Sequence, residues 1–227
     1  AAVGKGGLSF AEAMRLLAAF DDRLPFELTA GQREVAATIE ADLAESHPMH
    51  RLLQGDVGSG KTVVALRAML RVVDAGGQAA LLAPTEVLAA QHFRSITALL
   101  GPLAARGQLG GADVATRVSL LTGSLRTAQR RRELLDIVSG DAGIVVGTHA
   151  LIQETVDFHD LALVVVDEQH RFGVEQRAAL AAKARDGSRP HVLVMTATPI
   201  PRTVAMTVFG DVDVSTLTEL PAGRAPI

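Results

Sequence analysis

A glycine-rich run carries the most specific chemical pattern in this sequence. Its residues, Gly55-Asp56-Val57-Gly58-Ser59-Gly60-Lys61-Thr62, match the spacing G-x-x-x-x-G-K-T of a phosphate-binding loop. Glycines let successive backbone N–H groups turn towards a phosphate, and a helix that begins at the lysine adds its dipole. We expect Lys61 at the β- and γ-phosphates and the Thr62 hydroxyl at Mg²⁺. The alternative, a glycine-rich turn that fits by chance, is weakened by its place between a predicted strand and a predicted helix.

Two carboxylates follow an apolar stretch later in the chain. Residues 161–166 are typical of a buried strand, and Asp167 and Glu168 come directly after it. Asp167 is placed to hold Mg²⁺, directly or through water, and Glu168 to act as general base on an attacking water. Gln169 and His170 are expected near the γ-phosphate. The alternative is that the two acids merely end a strand at the surface. The phosphate loop in the same predicted sheet favours the functional interpretation over this alternative.

The elements that must position these motifs alternate along the chain. Apolar runs separated by helical segments predict an α/β fold, a mostly parallel sheet covered by helices on both faces. Strands are expected at 51–54, 78–83, 117–121, 144–147, 161–167 and 191–195. Helices are expected at 10–20, 61–73, 86–100, 126–138 and 174–184, and from an N-cap at Thr29 to 45, with a break at 21–25 and an insertion loop at 101–116. Ligands of such sheets collect at the carboxyl ends of the strands, where both motifs lie.

Composition limits the classes of function. The 227 residues are 48% hydrophobic and 21% charged, enough for a sizeable core, which excludes a disordered chain. Cysteine is absent, which excludes disulfides and cysteine zinc sites. The net charge of −3 and the lack of Tyr and Trp argue against an autonomous basic or base-stacking nucleic-acid module. With no membrane-spanning run and no signal-peptide pattern, we expect a cytoplasmic protein without a membrane partner.

Several further strings resemble the motifs of superfamily 2 helicases. Residues 167–170 resemble their DExH box, residues 196–198 (TAT) their motif III, and residues 83–86 (APTE) their motif Ia. Residues 122–124 and 147–149 are similar to later motifs that contact the nucleic-acid backbone. The resemblance implies a RecA-like domain that uses ATP and Mg²⁺.

The segment before the predicted second helix resembles the adenine-recognising Q-type motif of these helicases. It comprises residues 24–29 (LPFELT) together with Gln32. The resemblance implies that Phe26 packs on the adenine ring, that Gln32 hydrogen-bonds the edge of the ring, and that Thr29 belongs to the same site.

Longer strings narrow the resemblance within the superfamily. Residues 52–62, 83–92 (APTEVLAAQH), 147–153 (GTHALIQ), 167–174 (DEQHRFGV) and 195–203 (MTATPIPRT) resemble the bacterial branched-DNA helicases, a likeness that covers residues 24–227. Transcription-repair coupling factors share the HRFGV and TATPIPRT strings, but Gln169 and Ser59 favour the branched-DNA group. The resemblance implies hydrolysis of ATP to ADP and phosphate to remodel stalled forks and Holliday junctions.

The same resemblance implies residues for DNA contact and for coupling hydrolysis to movement. They are Pro84, Thr85, Thr122, Gly123, Ser124, Gly147, Thr148, His149, Thr196, Thr198 and Arg202. For Thr85, Ser124 and Thr148 the alternative is a plain helix N-cap role. For the arginine run at 130–132 a solvated helix face is favoured over a DNA patch. For Arg202 the alternative is a structural salt bridge.

The resemblance also implies a division of the chain and partners beyond it. We expect an N-terminal flanking helix at 1–23, a motor domain at 24–220 and a linker at 221–227 that leads to a second motor domain. A wedge domain that splits the junction is the other implied partner. The second motor domain would supply arginine fingers, each worth about 10³–10⁵ in rate, so this chain alone should bind ATP–Mg²⁺ weakly and hydrolyse it barely. More remote alternatives are a P-loop kinase and a non-enzymatic nucleotide-binding module.

Overall fold

A single parallel sheet organises the chain. The computed structural model describes residues 15–167, 176, 179–180, 182–183 and 189–219. In these residues seven strands lie in the order β3-β4-β2-β5-β6-β1-β7, and every neighbouring pair is parallel. The strands are β1 (His50–Gly55), β2 (Gln78–Leu82), β3 (Arg117–Leu121), β4 (Ala142–Gly147), β5 (Leu161–Asp167), β6 (His191–Thr196) and β7 (Asp213–Leu217). All carboxyl ends therefore share one edge of the sheet.

Helices cover both faces of the sheet, as predicted. The described helices are α1 (Arg15–Arg23), α2 (Ala30–Ala44), α3 (Lys61–Asp74), α4 (Glu86–Leu100), α5 (Thr127–Ser139) and α6 (Arg202–Phe209). Alternate strand residues enter opposite core layers, since Leu53 and Val165 belong to one cluster and Leu52 and Val164 to the other. The first cluster contains residues of α1 to α4, and the second contains residues of α5 and α6. The predicted α/β architecture is confirmed.

Most predicted boundaries agree with the structure to within two residues, but the predicted end of the first helix is wrong. α1 continues through Asp21, where the sequence suggested a break. The Asp74 carboxylate at the end of α3 accepts hydrogen bonds from the N–H groups of Leu16 and Leu17, at 2.9 and 3.0 Å. Asp21 forms an ion pair with Arg67 of α3. Asp21, which was expected to be part of a break, instead helps to fasten α1 to α3.

Two elements near the end of the described chain were not predicted. α6 begins at Arg202, within the MTATPIPRT string, and β7 pairs with β1 at the edge of the sheet. β7 is mostly half-buried or exposed, and only its last residue, Leu217, is buried. An edge strand needs no apolar run on both faces, so β7 lacks the signal that identified the others. The helix predicted at 174–184 lies largely outside the described residues. No helix in the described part of the chain is long and apolar enough to span a membrane.

Candidate functional site

The phosphate loop joins the carboxyl end of β1 to the start of α3. Gly58 and Gly60 have φ of 87° and 86°, in the left-handed region that side chains disfavour. Gly60 is the N-cap of α3 and provides no side-chain cap. The first N–H groups of the helix thus remain without an intrahelical partner and form a suitable site for an anion.

The lysine of the motif lies across this loop. Lys61 Nζ donates hydrogen bonds to the carbonyl oxygens of Gly55, at 2.5 Å, and Asp56, at 2.9 Å. The side chain therefore spans the loop that the spacing predicts for phosphate. Its role at the β- and γ-phosphates stays a prediction.

The phosphate loop is tightly packed around Gly55 and the Ser59 hydroxyl. Ser59 Oγ is buried and has no hydrogen-bond partner among the described residues. A Cβ at Gly55 would lie 2.6 Å from that oxygen and 3.0 Å from Leu217 Cβ, so only glycine fits there. The loop thus combines an unsatisfied hydroxyl with a backbone that has room for no further side chain.

Gln32 links the Q-type motif to this loop. Its side-chain oxygen accepts a hydrogen bond from Thr29 N–H at 2.9 Å, and its own N–H donates to Thr29 Oγ1 at 3.2 Å. These reciprocal bonds form the capping box that begins α2. The amide nitrogen of Gln32 donates to the Ser59 carbonyl at 2.8 Å, in a fully buried position. Gln32 thus caps α2 and contacts the phosphate loop. Its contact with adenine stays a prediction.

A cavity beside Phe26 is a candidate adenine site. The cavity has a volume of about 490 Å³ and is lined by Phe26, Leu28, Arg33 and Arg67 among others. Phe26 is 42% exposed, so a face of its ring is open to a ligand. Stacking of adenine on this ring remains a prediction.

Asp167 lies at the end of β5 and contacts a histidine that the sequence did not predict. Its Oδ2 lies 2.5 Å from His92 Nε2, on α4, and both side chains are largely buried, at 16% and 15% exposed. The three candidate residues that follow, Glu168, Gln169 and His170, lie outside the described residues. His92 ends the APTEVLAAQH string, but nothing in its spacing pointed to the acidic motif.

The oxygen donors at this edge of the sheet suit an Mg²⁺ ion that is bound by the protein and by a phosphate together. The described residues contain no group of three or more His, Cys, Asp or Glu that could hold a metal alone. Mg²⁺ usually takes one or two carboxylates and completes its shell with water and phosphate oxygens. The Thr62 hydroxyl and the Asp167 carboxylate are such oxygen donors. Only β6 separates β1 from β5, a span of roughly 10 Å.

The loop after β6 is tied to the strand that leads into the phosphate loop. Thr196 Oγ1 accepts a hydrogen bond from Thr198 N–H at 3.1 Å. Gln54, in β1, accepts from Ile200 N–H at 3.1 Å and donates to Thr216 Oγ1 at 2.8 Å. Sequence reasoning missed Gln54, although an amide in an apolar strand next to the phosphate loop was a signal. The coupling role of Thr196 and Thr198 stays a prediction.

Glu86 links the start of α4 to the loop after β3, one of the loops that are predicted to contact DNA. Its Oε1 accepts a hydrogen bond from Ser124 N–H at 3.0 Å. The Ser124 hydroxyl, the Ser124 and Gly123 N–H groups and the nearby His149 together hold the pKa of Glu86 below its ordinary value. The first turn of α4 is thereby fastened to the loop after β3.

Burial divides the predicted DNA-contacting residues into two groups. Thr85, Gly123, Ser124 and His149 are exposed, and Pro84 is half-buried. Thr122, Gly147 and Thr148 are buried. Two of the threonines have the capping role considered as an alternative, since Thr85 caps α4 and Thr148 caps the short helix His149–Ile152. Contact with a DNA backbone stays a prediction for the whole set.

The candidate arginines lie on the surface, in two different helices. Arg130 donates to Gln153 Oε1 at 3.0 Å, while Arg131 and Arg132 are exposed on α5. Arg202 is the exposed first residue of α6 and forms no ion pair with the described residues. The arrangement on α5 agrees with the favoured solvated helix face.

Comparison with known proteins identifies the family. The family model for DEAD/DEAH box helicases matches residues 29–207. The chain belongs to the DEAD/DEAH box helicase family. This helicase-family chain is 68% identical over 205 residues to the ATP-dependent DNA helicase RecG of Mycobacterium tuberculosis (strain ATCC 25618 / H37Rv), covering 90% of the chain and 28% of that protein. It is 54% identical over 212 residues to RecG of Synechocystis sp., covering 93% of the chain and 24% of that protein. The chain thus spans less than a third of the relatives it matches.

Solved structures place this family member among RecA-like helicase domains. A structure of RecG bound to a three-way DNA junction matches with a TM-score of 0.76 and 40% identity, over 93% of the chain and 26% of that chain. The yeast DEAD-box splicing factor Prp28 matches with a TM-score of 0.63 and 18% identity, over 92% of the chain and 50% of its own; it supports the fold alone. The predicted RecA-like fold and the likeness to branched-DNA helicases are confirmed.

Proposed function

We propose that this chain is the first, ATP-binding motor domain of a DNA helicase that remodels branched DNA in recombination and repair. The observation that carries the proposal is that the phosphate loop, after β1, and Asp167, the last residue of β5, lie at the same edge of a RecA-like sheet with only β6 between their strands. Its similarity to RecG proteins supports branched DNA as the substrate. The motor hydrolyses ATP to ADP and phosphate, in the cytoplasm.

Each part of the site contributes one step. The N–H groups of residues 56–62 hold the phosphates, and Lys61 brings its charge to the β- and γ-phosphates. Thr62 and Asp167 would hold Mg²⁺, which would supply positive charge to neutralise the phosphate oxygens. Glu168 takes a proton from the attacking water, and Gln169 and His170 lie near the γ-phosphate. The cavity beside Phe26 receives adenine.

DNA is held through its phosphates at the same edge. Thr85, Ser124 and the backbone of residues 122–124 and 147–149 offer hydroxyl and N–H donors, which position a strand without reading its bases. The net charge of −3 means that this contact is local and is shared with other domains. The loop of Thr196 and Thr198, with Arg202, relays the state of the nucleotide to the DNA.

The proposed function requires two further domains, a second motor domain and a wedge domain. Residues 24–220 form the domain, and residues 221–227 lead to a second motor domain that supplies arginine fingers. A wedge domain splits the junction. In the absence of these partners, the chain binds ATP–Mg²⁺ weakly and turns it over slowly.

Replacing Glu168 by Gln tests the assignment. We expect Glu168→Gln in the longer protein to keep its affinity for ATP and to lose turnover, because the amide cannot accept a proton from water. Affinity is measured with a fluorescent ATP analogue and turnover by phosphate release. A wild-type protein that binds ATP but has no turnover to lose would instead be a binding module, and unchanged turnover in the variant would remove Glu168 from the mechanism.

A further inference from the structure

The contact between His92 and Asp167 joins two parts of the molecule that sequence reasoning treated separately. His92 lies two turns into α4, and Asp167 is the candidate Mg²⁺ ligand at the end of β5. The Nε2–Oδ2 separation is 2.5 Å, and both side chains are shielded from solvent. Among the described residues, Asp167 forms no hydrogen bond through Oδ1, so the imidazole orients the carboxylate by one oxygen and leaves the other for a metal ion or its water.

The first turn of the same helix contacts a loop that is proposed to bind DNA. Glu86, in the first turn of α4, accepts the N–H of Ser124 at 3.0 Å, and Thr85 caps the helix. Glu86 and His92 are six positions apart, which corresponds to about 9 Å along the helix axis. An α-helix of this length moves as a unit, so a shift at its first turn reaches His92.

We propose that His92 is a positioning residue for Asp167, and that α4 couples DNA contact at its N-terminus to binding of Mg²⁺–nucleotide. This inference rests on the proposed function and adds a residue and a route to it. Partners that orient a metal ligand are typically worth about 10–100-fold in metal affinity. Coupling through α4 is reciprocal, so DNA changes nucleotide affinity by the same factor by which nucleotide changes DNA affinity.

The first test measures the Mg²⁺ dependence of nucleotide binding. A fluorescent, non-hydrolysable ATP analogue is titrated at increasing Mg²⁺ concentrations into the wild-type chain and its variants. In His92→Ala we expect the half-saturating Mg²⁺ concentration to rise about tenfold, whereas binding in EDTA stays at the wild-type level. His92→Gln, whose amide can still donate to the carboxylate, should stay within about twofold of the wild type. The matched control is Ser95→Ala, an exposed position of the same helix, which should show no change.

Two outcomes of this titration contradict the proposal. One is an unchanged half-saturating Mg²⁺ concentration in His92→Ala. The other is an equal loss of binding with and without Mg²⁺, because it would indicate general damage to the nucleotide site. A wild-type chain that does not bind the analogue at any Mg²⁺ concentration would instead reject the proposed function itself, so the two failures are distinguishable.

The second test measures the coupling directly. The dissociation constant of the analogue is determined with and without a three-way DNA junction, and the ratio of the two constants is the coupling factor. We expect the wild-type ratio to differ from one, and His92→Ala and Glu86→Ala each to bring it closer to one, because each removes one contact of the route. A wild-type ratio of one would overturn the coupling. So would a wild-type ratio that differs from one but is the same in both variants.

Discussion

The amide nitrogen of Gln32 donates a hydrogen bond to the carbonyl oxygen of Ser59 at 2.8 Å, across 27 residues of sequence. This bond fastens the start of α2 to the phosphate loop. It also occupies the space beside the next residue, since a Cβ on Gly60 would collide with the same nitrogen. The shape of the loop therefore depends on the Q-type motif as well as on its own glycines.

The fit between Gln32 and Gly60 can be measured by substitution. Gly60→Ala should be destabilising for two reasons, the φ of 86° and the collision with Gln32. Gly76 has a φ of 88° and nothing within 4 Å of its would-be Cβ, so Gly76→Ala isolates the backbone term, about 1 kcal/mol. We expect Gly60→Ala to lower the free energy of urea unfolding by more than Gly76→Ala. The excess should shrink in a Gln32→Ala background, and equal effects in the two glycine variants would disprove the collision.

Lys61 should determine affinity for nucleotide. Lys61→Ala removes the side chain beyond Cβ together with its ammonium group, and hydrogen bonds to charged groups are worth about 1.5–3 kcal/mol. We therefore expect ATP-analogue affinity to fall by about ten- to a hundredfold. Arg131→Ala removes an exposed cation on α5 and serves as the charge control. If both variants weaken binding equally, the effect is one of net charge and Lys61 has no special contact with phosphate.

Gln78 should matter for stability and not for nucleotide binding. This buried amide is the first residue of β2, at the amino ends of the strands, and the candidate site lies at their carboxyl ends. It donates to the carbonyl oxygens of Ile137 and Ala142 and accepts from Asp160 N–H. Gln78→Met leaves these groups unpaired, so we expect a loss of about 2–4 kcal/mol in the free energy of unfolding. ATP-analogue affinity measured well below the melting temperature should be unchanged, and a loss below 0.5 kcal/mol would contradict the account.

His191 should make stability depend on pH. Its Nδ1 accepts a hydrogen bond from Met49 N–H at 2.8 Å, and burial lowers its pKa below the ordinary value of 6.5; Asp42 has a smaller opposing effect, and His47 lowers the pKa slightly further. The unfolded chain thus binds a proton at a higher pH than the folded one. This contribution to stability is complete above 6.5 and is lost as the pH falls through 6.5 towards the folded pKa.

Replacing His191 by Asn separates titration from packing. The Asn oxygen can accept the same Met49 N–H but does not titrate. We expect the free energy of unfolding of the wild type to decline between about pH 7 and 5.5, and the decline to be smaller in His191→Asn. Equal slopes in the two proteins would assign the pH dependence to other groups.

The sequence predicted the centre of the sheet and the phosphate loop because both depend on local pattern. Strands such as β5 are apolar on both faces, and the loop needs its glycines and Lys61 at fixed spacing. α1 was given the wrong end because Asp21 and the helix cap from Asp74 act across the fold, through partners on α3 that no local pattern reveals. β7 was missed because an edge strand needs little apolar sequence.

The site was predicted motif by motif, but not in its connections. His92 and Gln54 join motifs that lie far apart in the chain, at Asp167 and at Ile200. Such pairs follow from which strands are neighbours in the sheet, and the order of the strands was not predicted. The same limit applies to Gln32, whose bond to Ser59 depends on where α2 packs.

Fork-stimulated ATP hydrolysis tests the central claim most directly. Phosphate release is measured for this chain and for the longer protein that carries it, each with and without forked DNA. We expect the longer protein to be stimulated by the fork and the chain alone to remain near background, because the proposed function assigns the catalytic arginines to a second motor domain. Brisk turnover by the chain alone without DNA, or a longer protein that is indifferent to forked DNA, would contradict the account.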